Sequence, residues 1–365
     1  MNIFIRIYKR LFRKKFTKTR VGKVILFALL LNLIFGILFY FAERGAQPDL
    51  TLLDAIWWAM VTMTTVGYGD FYAQTSIGRF LISYPCMLVG IGIIGYLVGV
   101  VAENMLDRFS KKRRGLMDIK LTGHLIICNF PNIEKIKRLM DEIKRSHDYK
   151  ECKFVLITDS IDELPDELQK LDVQFVQGSP LKEETLHKAN ITKCKGVFIL
   201  ARNPGEPKSD SDTFTTGAII EMIERELKKP IKVIVELVSK DNLKMMQRSR
   251  VDGIVSADGI MDGLIVQEFL YPGVHDIVHQ IISNAVGSQF YIFDTKLQGQ
   301  KISDIQIAVL EHPANLQVIG INRNGKSILN PSKNEIIQKD DRLIMLADKR
   351  DDIEAIEKEI LNKSK

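Results

Sequence analysis

The sequence predicts a membrane α-helical part fused to a soluble α/β part. Two runs without a charged residue, Val24 to Phe41 and Phe80 to Ala102, are long enough to cross a bilayer. After residue 107, short apolar runs alternate with charged helical stretches, which is typical of a doubly wound α/β fold. A length of 365 residues also favours more than one domain.

Basic residues flank both apolar runs on one side. Residues 1–23 contain nine Lys or Arg and no acid, and a second basic group follows the second run at 108–114. The positive-inside rule therefore predicts a multi-pass protein of the cell membrane with both termini in the cytoplasm. Beside a membrane span, the basic N-terminus favours anionic lipid as its partner, and we expect no nucleic acid.

The four cysteines, Cys86, Cys128, Cys152 and Cys194, form no CxxC pair. Neither a zinc site nor a disulfide framework is therefore indicated. We expect buried thiols, and no catalytic constellation that would make the chain an enzyme.

The motif Thr65-Val66-Gly67-Tyr68-Gly69 lies between the two runs and follows a predicted short helix, Leu53 to Thr64. Rings of backbone carbonyls from copies of a T-V-G-Y-G loop replace the water shell of K⁺. Gly67 and Gly69 permit the backbone angles that aim successive carbonyls at one axis. Because each chain has one such loop, the motif predicts a tetramer with K⁺ in its filter.

Residues 20–107 resemble the two-helix potassium channels, on the filter, the pair Trp57–Trp58 and the following Asp70. Tyr68 and the two tryptophans are expected to pack as an aromatic cuff, and Trp58 is a candidate hydrogen-bond partner for Asp70. Val61 stands where the family often has a glutamate. The sequence contains no arginine-rich voltage-sensing helix, so we do not expect steep voltage gating.

The second span contains Pro85 and several glycines, which predict a bend. Counting from the filter places the usual hinge at Val89, with Gly90 beside it. If Gly90 is itself the hinge, the pore-facing residues shift by one position. The predicted gate and hinge residues are Pro85, Gly90, Ile93, Leu97 and Val101. Four copies of Leu97 would form a hydrophobic constriction, whereas the glycines have the alternative role of close helix packing.

Five apolar runs predict buried parallel strands at 124–128, 153–158, 173–176, 196–200 and 232–237. The runs HLIIC, FVQGSP at 175–180 and LHKANI at 186–191 resemble the RCK domain, the regulator of potassium conductance. The resemblance implies domains that pair through crossover helices in a ring of eight. The expected organisation is a basic N-terminus over 1–23, a pore over 24–106, a linker over 107–120, a Rossmann-like N-lobe over 121–255, a crossover over 256–287 and a C-lobe over 288–356.

The carboxyl ends of these strands predict a regulatory nucleotide site, for an adenine nucleotide such as NAD, ADP or ATP. The G-x-G-x-x-G loop is replaced by residues 128–132, and Asp159 is expected to bind ribose hydroxyls. The candidate residues are Asn129, Asn132, Asp159, Gly178, Ser179 and Arg202. The alternative is a structural cleft.

Calcium is the competing ligand. The carboxylate positions of calcium-gated RCK channels match Ala201, Glu236 and Val238, so that only Glu236 remains as a weak metal candidate, and Ca²⁺ needs about six to eight oxygens. Asp210, Asp212 and Asp241 form another loop cluster. A potassium transporter subunit is a lesser alternative, because such chains contain several degenerate filter loops.

Each chain contains one RCK domain, so a tetramer supplies four. A ring of eight domains would need four further copies. Met117 lies at the start of the RCK region and is a candidate internal start for extra subunits without the pore. An ordinary linker methionine is the equal alternative.

Overall fold

The computed structural model describes residues 20–284 and 287–363. The chain divides into two compact units, the first ending at Lys111 and the second beginning at Lys112. Each unit is described by itself below.

The first unit is helical. The outer helix α1 (Arg20–Glu43) is followed by the pore helix α2 (Leu52–Met63), and the inner helix α3 (Tyr84–Arg113) begins after a π-helical turn at Ile77–Ser83. Within the described residues, the helical stretches Arg20–Glu43 and Gly78–Arg113 are long and apolar enough to cross a membrane. Both predicted spans are therefore helices of suitable length and composition.

The pore helix begins at a capping box. The Thr51 hydroxyl accepts the Asp54 N–H at 3.2 Å, and the Asp54 carboxylate accepts the Thr51 N–H at 3.1 Å. At its middle, the helix lies so close to the outer helix that a Cβ on Gly36 would be 2.8 Å from the Cα of Ile56. These contacts fix where the following loop starts.

The sequence predicts a bend at Pro85, and the structure has a π-helical turn just before this residue. The N–H of Tyr84 bonds to the carbonyl of Arg79, five residues back, and the Ser83 hydroxyl donates to the Gly78 carbonyl at 2.8 Å. π-Helical turns accommodate a local excess of backbone. The inner helix then continues regularly, with Pro85 in its first turn, where a missing N–H costs least.

The N-lobe is built on a parallel sheet of six strands in the described residues, in the order β3-β2-β1-β4-β5-β6. The strands are β1 (Leu125–Cys128), β2 (Phe154–Thr158), β3 (Gln174–Gln177), β4 (Gly196–Ile199), β5 (Lys232–Leu237) and β6 (Gly253–Ser256). The five predicted strands are present. The sixth strand was not predicted, because it is only partly buried and its sequence has no continuous apolar run.

Helices connect these strands and pack on both faces of the sheet. In chain order they are α4 (Ile133–Arg145), α5 (Asp166–Lys170), α6 (Glu183–Lys188), α7 (Ser209–Leu227) and α8 (Leu243–Met246). One face is packed around Ile126, Val155 and Val197, and the other around Ile127, Leu156 and Met140. A parallel sheet buried on both sides explains the continuous apolar strands.

Two helices, α9 (Ile260–Leu270) and α10 (Val274–Ile282), form the crossover and contain no buried residue. The C-lobe follows as an antiparallel sheet in the order β7-β10-β8-β9, with helices α11 (Ile302–Glu311) and α12 (Arg350–Lys363). Its strands are β7 (Gln289–Asp294), β8 (Leu316–Arg323), β9 (Lys326–Leu329) and β10 (Arg342–Ala347). The predicted small α+β lobe is confirmed.

Helix α4 is also bound to the end of the crossover. The Glu142 carboxylate accepts the Ser283 hydroxyl at 3.1 Å and the Asn284 N–H at 2.8 Å. The Asn284 amide donates in turn to the Glu142 carbonyl at 3.0 Å. Glu142 thus attaches an N-lobe helix to the chain segment that leads into the C-lobe.

The segment between the inner helix and β1 is bonded to the N-lobe. The Gln177 N–H donates to the Gly115 carbonyl at 3.1 Å, and the Ile119 N–H donates to the Lys188 carbonyl at 2.8 Å. Met117 lies between these two bonds and is 45% exposed. A chain that started at Met117 would keep the Ile119–Lys188 bond and lose the Gly115–Gln177 bond.

All four cysteines lie in the described residues, and each is free and buried. Burial raises the pKa of the Cys194 thiol to about 11 and raises the pKa of Cys128 as well. Protonated thiols are poor nucleophiles and poor metal ligands. The prediction of buried structural thiols is confirmed.

Candidate functional site

The filter segment alternates between left-handed and other backbone conformations. Thr65, Gly67 and Gly69 have φ values of 60°, 60° and 76°. The left-handed region is unfavourable for residues with a Cβ, and glycine occupies two of the three positions. Successive carbonyls can therefore turn to one side of the strand, as a row of cation ligands requires.

The end of the pore helix holds the start of the filter through its backbone. The Val61 carbonyl accepts the N–H groups of Val66 at 3.0 Å and Gly67 at 3.3 Å. The Val61 side chain is buried and apolar, so it cannot supply the acid of the two-helix family. Its carbonyl, which the sequence pattern did not single out, instead fixes two residues of the filter.

The two tryptophans have separate partners. The Trp57 indole N–H donates to the Asp70 carboxylate at 2.8 Å, and its ring stacks on Tyr68 with centroids 5.9 Å apart. Trp58 stacks on Phe39 of the outer helix at 3.6 Å. The candidate Asp70–Trp58 bond is wrong, because Trp58 turns inward and only Trp57 reaches the filter.

A buried carboxylate holds the loop that follows the filter. Glu43 ends the outer helix with no exposed surface. It accepts the N–H of Gln74 at 2.9 Å, the N–H of Thr75 at 3.0 Å and the Thr75 hydroxyl at 2.7 Å. A Cβ on Gly78 would lie 2.9 Å from the carboxyl carbon of Glu43, so the inner helix begins against this group.

Gly90 lies where the inner helix touches the pore helix. A Cβ at this position would be 2.5 Å from the Cα of Met63, so two backbones meet without an intervening side chain. This contact gives Gly90 the close-packing role that small residues have in membranes. Its role as a hinge stays a prediction.

Ile93 and Leu97 follow Gly90 on the same helical face. All three line an apolar cavity of about 260 Å³, whose other walls are the end of the pore helix at Met63 and Thr64 and outer-helix residues that include Val24, Ala28 and Asn32. Val101 is 45% exposed. The predicted gate residues thus start beside the end of the pore helix and continue along the inner helix towards its carboxyl end.

The nucleotide candidates follow the strands at one edge of the N-lobe sheet. Asn129 follows β1 with φ 72°, and its amide donates to the Leu200 carbonyl at 2.8 Å. Asn132 is the N-cap of α4 and accepts the Lys135 N–H at 2.8 Å. Asn129 is thus buried in the turn, while Asn132 marks a helix start where phosphate is bound in such folds.

Asp159 and Arg202 form an ion pair. Asp159 follows β2, Arg202 follows β4, and the guanidinium donates to the carboxylate at 2.6 Å. Each side chain is about one-third exposed. Gly178 and Ser179 follow β3, where the Ser179 hydroxyl accepts the Leu181 N–H at 3.3 Å. The predicted residues therefore share one edge, and two of them are in direct contact.

Glu236, the weak metal candidate, is paired with a cation from the chain itself. Its carboxylate accepts the Lys135 ammonium and the Ala201 N–H, the latter at 3.1 Å. Asp210 is fully buried and accepts the Val238 N–H at 2.7 Å. In residues 20–284 and 287–363, no group of three or more metal-ligating side chains converges.

Three family models match successive parts of the chain. Residues 27–107 match an ion channel family, and residues 120–235 match the calcium-activated potassium channel slowpoke-like RCK domain. Residues 258–363 match a family described as Castor and Pollux, part of voltage-gated ion channel.

Curated relatives resemble the chain over most of its length. It is 25% identical to the calcium-gated potassium channel TvoK of Thermoplasma volcanium, over 93% of this chain and 95% of the relative. It is 27% identical to probable potassium channel protein 2 of Methanocaldococcus jannaschii, over 79% and 82% of the two chains. The chain is a potassium channel with an RCK domain. The resemblance to two-helix potassium channels with an RCK domain is confirmed, and so is the predicted fold class.

Among solved structures, the channel resembles the human SLO3 gating ring with a TM-score of 0.51 at 14% identity. The match covers 64% of this chain and 45% of the other. At this identity the likeness establishes the fold alone.

Three of the channel's contacts were missed by the sequence patterns. Glu43 and Lys135 are single charges in otherwise ordinary helix ends, and the Val61 carbonyl is a backbone group. The signal that could have indicated Glu43 is its position, since an acid at the end of a membrane span needs partners.

Proposed function

We propose that the subunit forms a tetrameric, potassium-selective pore of the cell membrane, opened or closed by an adenine nucleotide such as NAD, ADP or ATP at the N-lobe cleft. The observation that supports nucleotide binding is the arrangement at the sheet edge. Asp159 follows β2, while Asn132 caps the helix that follows β1. A carboxylate and a helix N-terminus at the carboxyl ends of neighbouring strands suit ribose and phosphate.

Calorimetry with ADP tests this proposal. Asp159→Ala removes a charge-assisted pair of hydrogen bonds to ribose, so we expect a roughly ten- to hundredfold loss of ADP affinity. Asp172→Ala is the matched control, because Asp172 pairs with Lys153 at the opposite edge of the sheet. Absence of ADP binding by the wild-type channel would overturn the proposal.

Bilayer recording connects binding with gating. ADP, NAD or ATP added to the RCK side should change the open probability of the wild-type channel, with the concentration dependence shifted upward in Asp159→Ala. A ligand moves a gate only by its differential affinity for the two states. Binding without any change in open probability would leave the cleft without a regulatory role.

Calcium is the second candidate, because the relative TvoK is described as calcium-gated. In this chain, two of the three matching positions carry Ala201 and Val238, and Glu236 is neutralised by Lys135. We therefore expect Ca²⁺ on the RCK side to leave the open probability unchanged. A calcium response that disappears in Glu236→Gln would favour this candidate over the nucleotide.

We propose that the subunits associate through the crossover. Its exposed apolar side chains include Phe269 at 85% and Ile282 at 72%, more than a soluble surface ordinarily leaves uncovered. Phe269→Glu should weaken RCK pairing in sedimentation experiments. An unchanged assembly would remove the crossover as the contact.

We also propose that a ring of eight RCK domains includes copies that start at Met117. The N-lobe bonds from Ile119 onward would all be present in such a chain. Mass spectrometry of the purified channel should find a pore-free product that disappears in Met117→Leu. A complex of full-length chains alone would refute this stoichiometry.

Both termini are proposed to be cytoplasmic, with lipid around the two spans and anionic lipid beside the basic N-terminus, whose residues 1–19 lie outside the described part. A reporter fused to either terminus should be active only on the cytoplasmic side. Activity of one fusion on the outer side would reverse the orientation.

A further inference from the structure

The charged side chains around the cleft are engaged with each other. The Asp159–Arg202 pair joins the ends of β2 and β4, which are the two neighbours of β1 in the sheet. The pair therefore passes over the carboxyl end of β1, where Asn129 starts the turn into α4. This is the path that the phosphates of a nucleotide take in a doubly wound fold.

A second pair lies on the other side of the same turn. Lys135, in the first turn of α4, is paired with Glu236 of β5. Glu236 also accepts the Ala201 N–H, directly before Arg202. Carboxylates thus occupy positions where two cations and a backbone N–H could otherwise face an anionic ligand.

The two halves of the Asp159–Arg202 pair have different alternative partners. A guanidinium binds phosphate oxygens as well as it binds a carboxylate. Asp159 can instead accept hydrogen bonds from ribose hydroxyls. A ligand that supplies only one of these groups leaves the other half of the pair without its partner, which is unfavourable in a partly buried site.

We propose that the Asp159–Arg202 pair is a latch that selects phosphorylated nucleosides, and that Arg202 leaves Asp159 to bind a phosphate of the ligand. This inference rests on the proposed nucleotide site and adds its specificity. A nucleoside alone leaves Arg202 without a partner, and inorganic phosphate alone leaves Asp159 without a partner. A nucleotide satisfies both side chains at once.

The latch predicts that the affinities for ADP and for adenosine change in opposite directions in Arg202→Gln. In Arg202→Gln, ADP affinity falls roughly ten- to hundredfold, because a charge-assisted contact to phosphate is lost. Adenosine affinity rises by up to about fivefold, because Asp159 no longer has to leave an ion pair of this exposure. A residue with only a structural role would lower both affinities together.

The experiment is calorimetry of the full-length channel in detergent with ADP, adenosine and inorganic phosphate as separate probes. Lys153→Gln is the matched control, since it breaks the 3.1 Å pair with Asp172 at the amino end of β2 and should change neither affinity. Arg202→Lys keeps the charge and should recover part of the ADP affinity, which also guards against a misfolded Arg202→Gln.

The outcomes separate the two proposals. Opposite shifts for ADP and adenosine support the latch. If the wild-type channel binds ADP but both affinities move in the same direction, or neither moves, the latch is wrong while the nucleotide site remains. If the wild-type channel binds neither ADP nor adenosine, the nucleotide site itself is refuted and the latch with it.

Discussion

The filter and the proposed nucleotide cleft of the N-lobe depend on different parts of the chain. The filter presents backbone groups set by the left-handed conformations of Thr65, Gly67 and Gly69, whereas the cleft presents the charged side chains of Asp159 and Arg202. Backbone recognition depends on a few residues that permit a conformation, so a short motif identifies it. Side-chain recognition depends on which charges meet after folding, so its motif is weak.

The strongest test of recognition by backbone groups in the filter is Gly67→Ala. A Cβ in the left-handed region is strained by about 1–2 kcal/mol in each subunit, and relief of that strain turns a carbonyl out of the row. We expect potassium flux into liposomes to fall to background. Gly45→Ala is the control, because Gly45 has no positive φ and no neighbour within 4 Å of its Cβ position.

If Gly67→Ala kept full potassium flux and still rejected sodium, the claim that the filter depends on a glycine backbone conformation would be wrong. The filter's function would then tolerate a different backbone conformation, and glycine would be only one of several suitable residues there.

A smaller effect is expected from Glu43→Gln. The carboxylate accepts N–H groups from both Gln74 and Thr75, and an amide cannot accept all these bonds without opposing its own NH₂ to a donor. At about 1.5–3 kcal/mol for bonds to a charged group, the loop after the filter should leave its conducting form more often. Single-channel recording should show conducting bursts shortened roughly tenfold or more.

Glu103→Gln is the control for Glu43, since Glu103 is exposed and lies 3.8 Å from Arg20. Equal burst lengths in Glu43→Gln and the wild type would mean that the loop is held by backbone contacts alone. That result would mean that backbone groups, without side chains, hold both the filter and the loop after it.

The smallest of the three effects is expected from Leu97→Asp, which acts on the gate. Four carboxylates near the inner mouth would attract water and repel one another, so that a closed constriction becomes unfavourable. Open probability without ligand should rise, while Leu97→Met keeps the volume and should gate normally. An open probability equal to that of the wild type under all ligand conditions would remove Leu97 from the gate.

Most of the architecture could be predicted from the sequence because it depends on local pattern. Apolar runs gave the two long helices and five of the strands, and T-V-G-Y-G gave the filter. The partners of charged groups could not be predicted in this way. Lys135 and Glu236 are 101 residues apart, and Glu43 and Thr75 are 32 apart, so only the folded chain brings them together.

Trp57 and Trp58 illustrate the same limit at short range. The pair was recognisable, but which indole reaches Asp70 depends on the rotation of the pore helix. The stacking of Trp58 on Phe39 sets that rotation. A contact from another helix therefore decides the partner of a residue only thirteen positions from Asp70.

Helix α4 begins at the cleft, beside Asn132 and Lys135, and Glu142 near its other end holds Ser283 and Asn284. A helix of this size is a rod about 20 Å long. Its two ends cannot move independently, so a ligand that tilted the helix at the proposed cleft would also displace Glu142. The segment entering the C-lobe would then move with it, through the stiffness of the helix rather than through charge.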